Sequence, residues 1–316
     1  MRRREFVLLA AVPGAPAFAV VEKAAGCVGF YTAAGARAGG VKVGNFPHEA
    51  ALSPDGHFLY VTDNGVLWMT DAGDGGNTVS IVDVRAMRKA GEIGLARFRR
   101  PHGIAWDAGG TRLLVTTELP PALLLLDVAA RKLIRDYGVK GKSPHMVACA
   151  RGRAFVSNTD SGTVAAVDLA TSAATLIPTA ARPQGAVLAP DGRLFVVNTG
   201  AARITIIDTA SLKVTGSIAT GNGPGRIALT PNGKTLVYNL QNDNAVGFAD
   251  VASGKQTATL PIGGRSLSLT MTRDGNTAFA GVQEQDRVVV ISVPDRKILR
   301  EFRTPKGAGP DPVIPL

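Results

Sequence analysis

The sequence is poor in cysteine and in aromatic residues, and both shortages narrow what the protein can be. Cys27 and Cys149 are the two cysteines among 316 residues, which excludes a disulfide framework or a zinc site built from several cysteines. We interpret both as small buried side chains. Aromatic residues make up 5% of the chain, too few for the base-stacking surfaces of single-stranded nucleic acid binding, so nucleic acid is not an expected partner.

Long hydrophobic runs and common catalytic motifs are also missing. No segment approaches the roughly 18 uninterrupted apolar residues of a membrane span, so we expect no transmembrane anchor. Gly221, Gly223 and Gly225 alternate in the sequence, but no following helix or βαβ context makes them a dinucleotide site. The chain contains no Cys-x-x-Cys-His motif, which excludes attached c-type haem.

Positive charge and turn-forming residues are abundant instead. Lysine and arginine number 35 against 25 acidic residues, and this balance favours anionic partners without indicating a fold. The 37 glycines and 19 prolines are spread along a chain that is 45% hydrophobic. Such a distribution predicts many turns between short strands, in a chain long enough to bury a sizeable core.

The first 19 residues have the three-part pattern of an export signal. Three arginines precede an apolar run at 6–12, and Ala17-Phe18-Ala19 fits a small-x-small cleavage site. The adjacent arginines also fit a twin-arginine signal. We therefore predict a signal peptide over 1–19, of twin-arginine or Sec type, and a periplasmic or otherwise exported protein. The alternative is a basic start followed directly by a first β-strand at Phe18.

A repeat of about 40 residues runs through the rest of the chain. Most copies contain Asp-Gly or Asn-Gly between two apolar runs, the strongest short-range signal for a β-hairpin. After a first interval of 54 residues, the starts are 39 to 44 residues apart. They lie at Pro47, Pro101, Pro144, Pro183, Pro224, Ser266 and Pro310. Four short strands per period of this length predict the blades of a β-propeller.

The two ends of the chain together complete a seventh copy. Residues 18–44 align with the second to fourth strands of a blade, and residues 310–316 align with a first strand. Joining them would remove the open sheet edges that invite aggregation. The predicted fold is all-β: a seven-bladed β-propeller of four-stranded blades, one monomeric domain over 20–316, whose last blade combines the N- and C-terminal strands.

The second strand of each copy carries a family resemblance. Leu59-Tyr60-Val61-Thr62-Asp63, with the turn at Ser53-Pro54-Asp55-Gly56, resembles the signature of the YVTN-repeat β-propellers, such as the exported YncE-like proteins. The resemblance covers residues 18–316. It implies the fold, but it does not identify an activity because such propellers serve many functions.

Three of the four histidines fall on one repeat position. His48, His102 and His145 each follow the residue that starts a copy, and Gln184 has this position in the next copy. In a propeller these residues lie at one mouth of the central channel. Converging imidazoles there can bind a divalent metal ion or hydrogen-bond an anionic ligand. The alternative is that Pro-His is a repeat consensus in which histidine caps the strand start.

Oxygen-bearing side chains follow the second strand of each copy, on the same predicted face. They are Glu22, Asp63, Asn64, Glu118, Asn158, Asn198, Asn239 and Gln283. We predict that Asn158, Asn198 and Asn239 contact a ligand, although such side chains also bond loop backbone. The loops of this face carry Arg226 and many further basic residues, which would attract a small anionic ligand if they do more than keep the protein soluble.

The first complete copy contains an insertion at 64–77 on the same face. It holds Val66, Leu67, Trp68 and Met69 beside aspartates and glycines. An apolar insertion at this place can form a lid over the channel mouth. Alternatively, it folds back onto its own blade.

Two classes of function follow from these features. The first is an exported propeller that binds a small anionic ligand, a metal ion or a periplasmic protein partner at the histidine-bearing mouth, without catalysis. The second is a hydrolase: Thr117-Glu118-Leu119 and the Pro-His starts resemble propeller lactonases, and this resemblance implies that His102, Glu118, His145 and Arg226 activate water and stabilise an oxyanion. An accessory role in a haem or quinone redox system is a further alternative.

Overall fold

A computed structural model describes residues 14–150 and 152–316 of the chain. Most of the predicted signal peptide therefore lies outside the described residues. Within them the chain is almost entirely β-strand, with short 3₁₀ turns at Thr159–Ser161 and Gln283–Gln285. In these residues no helix combines the length and the apolar character needed to cross a membrane.

The described strands form seven antiparallel sheets of four strands each, as the repeat predicts. In chain order the strands are β1 (Pro16–Glu22), β2 (Cys27–Thr32), β3 (Arg37–Lys42), β4 (Pro47–Leu52), β5 (Phe58–Asp63), β6 (Thr78–Asp83), β7 (Arg88–Gly94), β8 (Arg99–Trp106), β9 (Arg112–Leu119), β10 (Pro121–Asp127), β11 (Lys132–Tyr137), β12 (Pro144–Ala150), β13 (Arg153–Asn158), β14 (Thr163–Asp168), β15 (Ala174–Pro178), β16 (Pro183–Leu188), β17 (Arg193–Asn198), β18 (Arg203–Asp208), β19 (Lys213–Ala219), β20 (Pro224–Leu229), β21 (Thr235–Leu240), β22 (Ala245–Asp250), β23 (Lys255–Pro261), β24 (Ser268–Met271), β25 (Thr277–Val282), β26 (Arg287–Ser292), β27 (Lys297–Arg303) and β28 (Pro310–Pro315).

The sheets are the blades of a closed ring. Blade 1 consists of β28 and β1 to β3, and blades 2 to 7 follow as consecutive groups of four from β4 onwards. The first strands contact one another in the circular order β4, β8, β12, β16, β20, β24, β28 and back to β4. They therefore line one central channel, and the prediction of a seven-bladed β-propeller is confirmed.

Blade 1 closes the ring by pairing the two ends of the chain. Residues Phe18, Ala19 and Val20 of β1 lie opposite Pro315, Ile314 and Val313 of β28. The prediction that both termini share one blade is confirmed. Because β1 begins at Pro16, cleavage after Ala19 would shorten this strand and leave Val20–Glu22 in the blade.

The hydrophobic core lies between the faces of neighbouring blades. Alternate strand residues point to opposite faces of a sheet, so each blade supplies apolar side chains to two interfaces. Phe30 of blade 1, for example, packs in one cluster with Leu59 and Val82 of blade 2. Phe155 of blade 4 packs in another with Leu194 of blade 5. The ring is therefore held by repeated sheet-to-sheet packing, which fixes the first strands around the channel.

Candidate functional site

The three histidines that share a repeat position converge at one mouth of the channel. The ring centroids of His48 and His102 are 4.1 Å apart, and those of His102 and His145 are 4.0 Å apart. All three side chains are buried. They lie on β4, β8 and β12, the first strands of three consecutive blades, so residues far apart in sequence become direct neighbours.

Threonines on the second strands fix the backbone that carries these imidazoles. The hydroxyl of Thr62 donates to the carbonyl oxygen of His102 at 2.9 Å. The hydroxyl of Thr116 donates in the same way to His145 at 2.6 Å. Each blade therefore holds the first strand of the next blade, which reduces the freedom of the histidine side chains to move apart.

His48 belongs to a buried charged cluster. Its Nδ1 lies 2.6 Å from Oδ2 of Asp311 and 3.1 Å from Nζ of Lys23. The shorter contact indicates that the Nδ1–H group donates to the carboxylate. Burial, followed by the positive charge of Lys23, holds the pKa of His48 well below its usual range. The imidazole is therefore neutral at pH 7, and the ammonium of Lys23 at 3.6 Å balances the charge of Asp311.

A second carboxylate orients His102. Nδ1 of His102 lies 3.0 Å from Oε1 of Glu118, and the other carboxylate oxygen is 3.6 Å from Nη1 of Arg100. A carboxylate at this position stabilises the tautomer with hydrogen on Nδ1 and leaves Nε2 as an acceptor. This Nε2 is buried and has no hydrogen-bond partner among the described residues.

His145 lies against His102 without a carboxylate of its own. Its Nδ1 is buried and has no hydrogen-bond partner in residues 14–150 and 152–316. Burial, followed by the neighbouring His102 and Arg226, lowers the pKa of His145 well below its usual range. The ring is therefore neutral at pH 7.

An ion pair between Arg226 and Glu49 crosses the channel. Nη2 and Nε of Arg226 on β20 donate to Oε1 of Glu49 on β4, at 2.7 and 3.0 Å. These two strands are not neighbours in the ring, so the pair connects opposite sides of the channel. Both residues are buried, and a buried charged pair is stable only when its hydrogen bonds are well formed.

The insertion at 64–77 forms the roof of the site. Leu67, Trp68, Met69 and Thr70 line a cavity of about 270 Å³ together with the three histidines. Arg100 holds the loop in place, because its guanidinium donates to the carbonyl oxygens of Met69, Asp71 and Gly73. These contacts favour the lid over a loop that folds back onto its own blade, and closure of the channel mouth stays a prediction.

Blades 5 to 7 supply the opposite side of the cavity. This side, which we call the amide–guanidinium wall, consists of Arg182, Gln184, Arg226, Gln241 and Arg265. Arg226 and Gln184 were predicted by residue from the sequence, whereas Gln241 and, on the other side, Lys23 were not. Both missed residues directly follow the second strand of a blade, which is the signal that could have found them.

Asn158, Asn198 and Asn239 are not among the residues that line the cavity. Their amide groups donate to the carbonyl oxygens of Val139, Ala180 and Ser266, at 3.2, 2.8 and 2.7 Å. These bonds are what the alternative interpretation predicts, in which such side chains bond to loop backbone, and a ligand contact by these residues stays a prediction.

The predicted metal site at His48, His102 and His145 gains no support from the geometry. Across residues 14–150 and 152–316, no three histidine, cysteine or acidic residues are grouped so that they could hold a metal ion. The rings pack against each other, with interplanar angles of 81° and 41°. Nδ1 of His48 and of His102 contacts a carboxylate, which leaves Nε2 of each ring as the available ligand atom, so a metal ion at these histidines stays a prediction.

The four residues of the hydrolase alternative do come together. His102 contacts Glu118 and packs against His145, while Arg226 lines the same cavity. Glu118 lies behind His102 and does not itself line the cavity. The arrangement is a histidine–carboxylate pair with an arginine nearby.

Comparison with known proteins shows the fold but no family. No family model matches the chain. A curated protein, the PE-PGRS family protein PE_PGRS18 of Mycobacterium tuberculosis, is 41% identical over 49 residues. The match covers 16% of this chain and 11% of that protein, so the chain spans about a tenth of the length of this relative.

Solved structures with a similar fold have different activities. A protein of unknown function from Desulfotomaculum acetoxidans has a TM-score of 0.76 at 15% identity, with 94% of this chain and 98% of that chain covered. The dihydro-heme d1 dehydrogenase NirN has a TM-score of 0.67 at 17% identity, with 95% of this chain and 66% of that chain covered. Hydrazine synthase of Kuenenia stuttgartiensis has a TM-score of 0.65 at 20% identity, with 78% of this chain and 76% of that chain covered. These identities support a shared fold and no more.

Proposed function

We propose that this chain is an exported propeller of the YVTN-repeat type that binds a small organic ligand in the roofed cavity and releases it unchanged. One observation carries the proposal: a single cavity has imidazoles on one side, amides and guanidinium groups on the other, and an apolar roof. Binding sites commonly combine apolar walls with a few fixed polar groups. The surplus of basic residues favours an anion.

The size of the cavity limits the ligand. Its volume of about 270 Å³ lies just below the range of roughly 300–1,000 Å³ that suits drug-sized ligands. A small metabolite fits this space, whereas a nucleotide or a polymer does not.

Binding is favoured over catalysis because the nitrogen of His102 that its carboxylate partner leaves as an acceptor is covered. Nε2 of His102 and Nδ1 of His145 are buried from solvent. A general base must reach the proton that it removes, directly or through one water molecule. The buried nitrogens serve better as fixed, neutral walls of a binding site.

The experiment is a screen of small metabolites by thermal shift and calorimetry, with a variant whose cavity is filled. Leu267 lines the cavity, so Leu267→Trp places a large ring inside it. The matched control is Leu176→Trp, because Leu176 is exposed on the outer strand β15. We expect a ligand that stabilises the wild type and the control but not the cavity variant. Equal responses from all three proteins would contradict the proposal.

Hydrolysis of a small lactone is the second candidate, favoured by the 3.0 Å contact between His102 and Glu118. Such a pair can act as a general base if the lid opens and exposes Nε2. Under this alternative, Glu118→Gln lowers the hydrolysis rate by about 10²-fold or more without preventing lactone binding. A rate that is unchanged in this variant would remove the candidate. The accessory role in a redox system stays a prediction, since the likeness to NirN concerns the fold.

A further inference from the structure

The two sides of the cavity differ in chemistry, and the difference points to a class of ligand. Resting on the proposed function, we propose that the ligand is a monocarboxylate with a short apolar chain or a single ring. Its carboxylate contacts the amide–guanidinium wall, and its apolar part lies under the roof. The following observations carry this assignment.

The amide–guanidinium wall has free donors that point to an anionic group. Arg226 uses Nε and Nη2 for Glu49, and its Nη1 makes no hydrogen bond to any described residue. Gln241 is 6% exposed and lines the cavity, and its side-chain amide likewise has no partner among the described residues. Neither group is among the fully buried polar atoms without a partner, so both face the open cavity, where an anionic ligand can accept hydrogen bonds from them.

The balance of charges favours one negative charge on the ligand. Lys23 and Arg226 are compensated by Asp311 and Glu49, so the interior of the site is close to neutral. At the rim, Arg182 pairs with Asp160, whereas Arg265 is exposed and has no ion pair among the described residues. One uncompensated cation matches a monoanion, whereas a phosphate dianion would leave one negative charge without a partner in the protein.

The roof supplies an apolar surface that a simple inorganic anion would not use. Leu67, Trp68 and Met69 lie on one side of the cavity, and Leu267 completes this surface from blade 7. Contact with hydrocarbon removes this surface from water, and aromatic and methionine side chains adapt well to such a chain or ring. Acetate is therefore too small to use the whole site.

Calorimetry with matched compounds tests the class of ligand. Butyrate and benzoate are compared with butyramide and benzamide, which have the same shape without the charge, and with acetate and inorganic phosphate. We expect butyrate or benzoate to bind about 10-fold or more tightly than its amide, because a charged hydrogen bond is lost in the neutral compound. Acetate and phosphate bind more weakly than the better of the two carboxylates.

Variants connect this preference to the proposed wall. Arg265→Gln is expected to weaken carboxylate binding about 3- to 10-fold and to leave the amides unaffected. Arg273→Gln removes the same charge from an exposed turn outside the cavity and serves as the control. The roof is tested by Trp68→Ala, which is expected to weaken benzoate binding more than acetate binding.

Three results would overturn the assignment. If the amides or phosphate bind as tightly as the carboxylates and Leu267→Trp blocks them, the class is wrong while the proposed function stands. If neither butyrate nor benzoate binds up to about 10 mM, the class is also wrong. If no compound in the broader screen responds to Leu267→Trp, the proposed function fails together with the inference.

Discussion

His48 and His145 are buried and neutral at pH 7, and keeping them neutral makes the stability of the folded protein depend on pH. The pKa values of His48 and His145 are lowered by burial and by neighbouring positive charge. In the unfolded chain both would titrate near 6.5. Below that pH the unfolded state binds more protons than the folded state, so the stabilisation present above pH 6.5 is lost as the pH falls.

We therefore predict that the free energy of unfolding decreases from pH 7.5 to pH 5. The slope contributed by each histidine is at most about 1.4 kcal/mol per pH unit. His145→Asn removes one of these groups and should flatten the dependence, measured by urea unfolding at several pH values. His57→Asn is the control, since His57 is exposed and remote from the cluster. An identical slope in the wild type and in His145→Asn would contradict this account.

At Gly103 the first strands of two neighbouring blades lie very close together, which leads to a second prediction. A Cβ atom on Gly103 would clash with the carbonyl oxygen of His145, which is backbone and cannot move aside. Gly103→Ala should therefore destabilise the protein by about 2–3 kcal/mol and separate His102 from His145. Gly138→Ala is the matched control, because nothing lies within 4 Å of the added atom. Equal unfolding midpoints in urea for both variants would disprove the strand contact.

At the scale of elements, Arg100 connects the roof to the histidines. It donates to three carbonyl oxygens of the insertion and lies 3.6 Å from the carboxylate of Glu118, which orients His102. Lysine at this position has one ammonium group and cannot span the same acceptors. A change at Arg100 should therefore loosen the roof without unfolding the blades.

We predict that Arg100→Lys increases chymotrypsin cleavage of the 64–77 loop about 10-fold, because about 1.4 kcal/mol of local stability is lost. Trp68 emission should shift to the red at the same time. Arg97→Lys is the control, because Arg97 is exposed, contacts Asp136 and the ring of Phe98, and makes no hydrogen bond to the insertion among the described residues. Cleavage at the wild-type rate in Arg100→Lys would show that the loop is held by other contacts.

The strands and their contacts show which features could be predicted from the sequence and which could not. A repeat assigns each residue a place in its blade, so the strands, the closure of blade 1 and the meeting of His48, His102 and His145 followed from spacing. It does not say which partner a side chain selects, and Asn198 bonds a nearby backbone carbonyl. The ion pair of Arg226 and Glu49 could not be predicted from the repeat, because the two residues are 177 positions apart and meet only across the closed channel.

For the whole molecule, the ring depends on the last strand. β28 pairs with β1 and contacts β24 and β4, so it joins blade 1 to both neighbouring blades. It also carries Asp311, the carboxylate that holds His48. Loss of this strand would leave the edge of β1 unpaired, and an unpaired edge is a template for association with another chain.

Deletion of residues 310–316 should therefore lower the melting temperature by 10 °C or more, on the order expected for the loss of several kcal/mol, and should produce oligomers in size-exclusion chromatography. Asp311→Asn separates the two roles of the strand, because it removes the charge that balances Lys23 but keeps the backbone pairing. This variant should remain monomeric, with an altered ligand affinity. Deletion of Leu316 alone controls for the altered terminus. If the longer deletion melts like the wild type and stays monomeric, the closure provided by β28 is not what stabilises the ring.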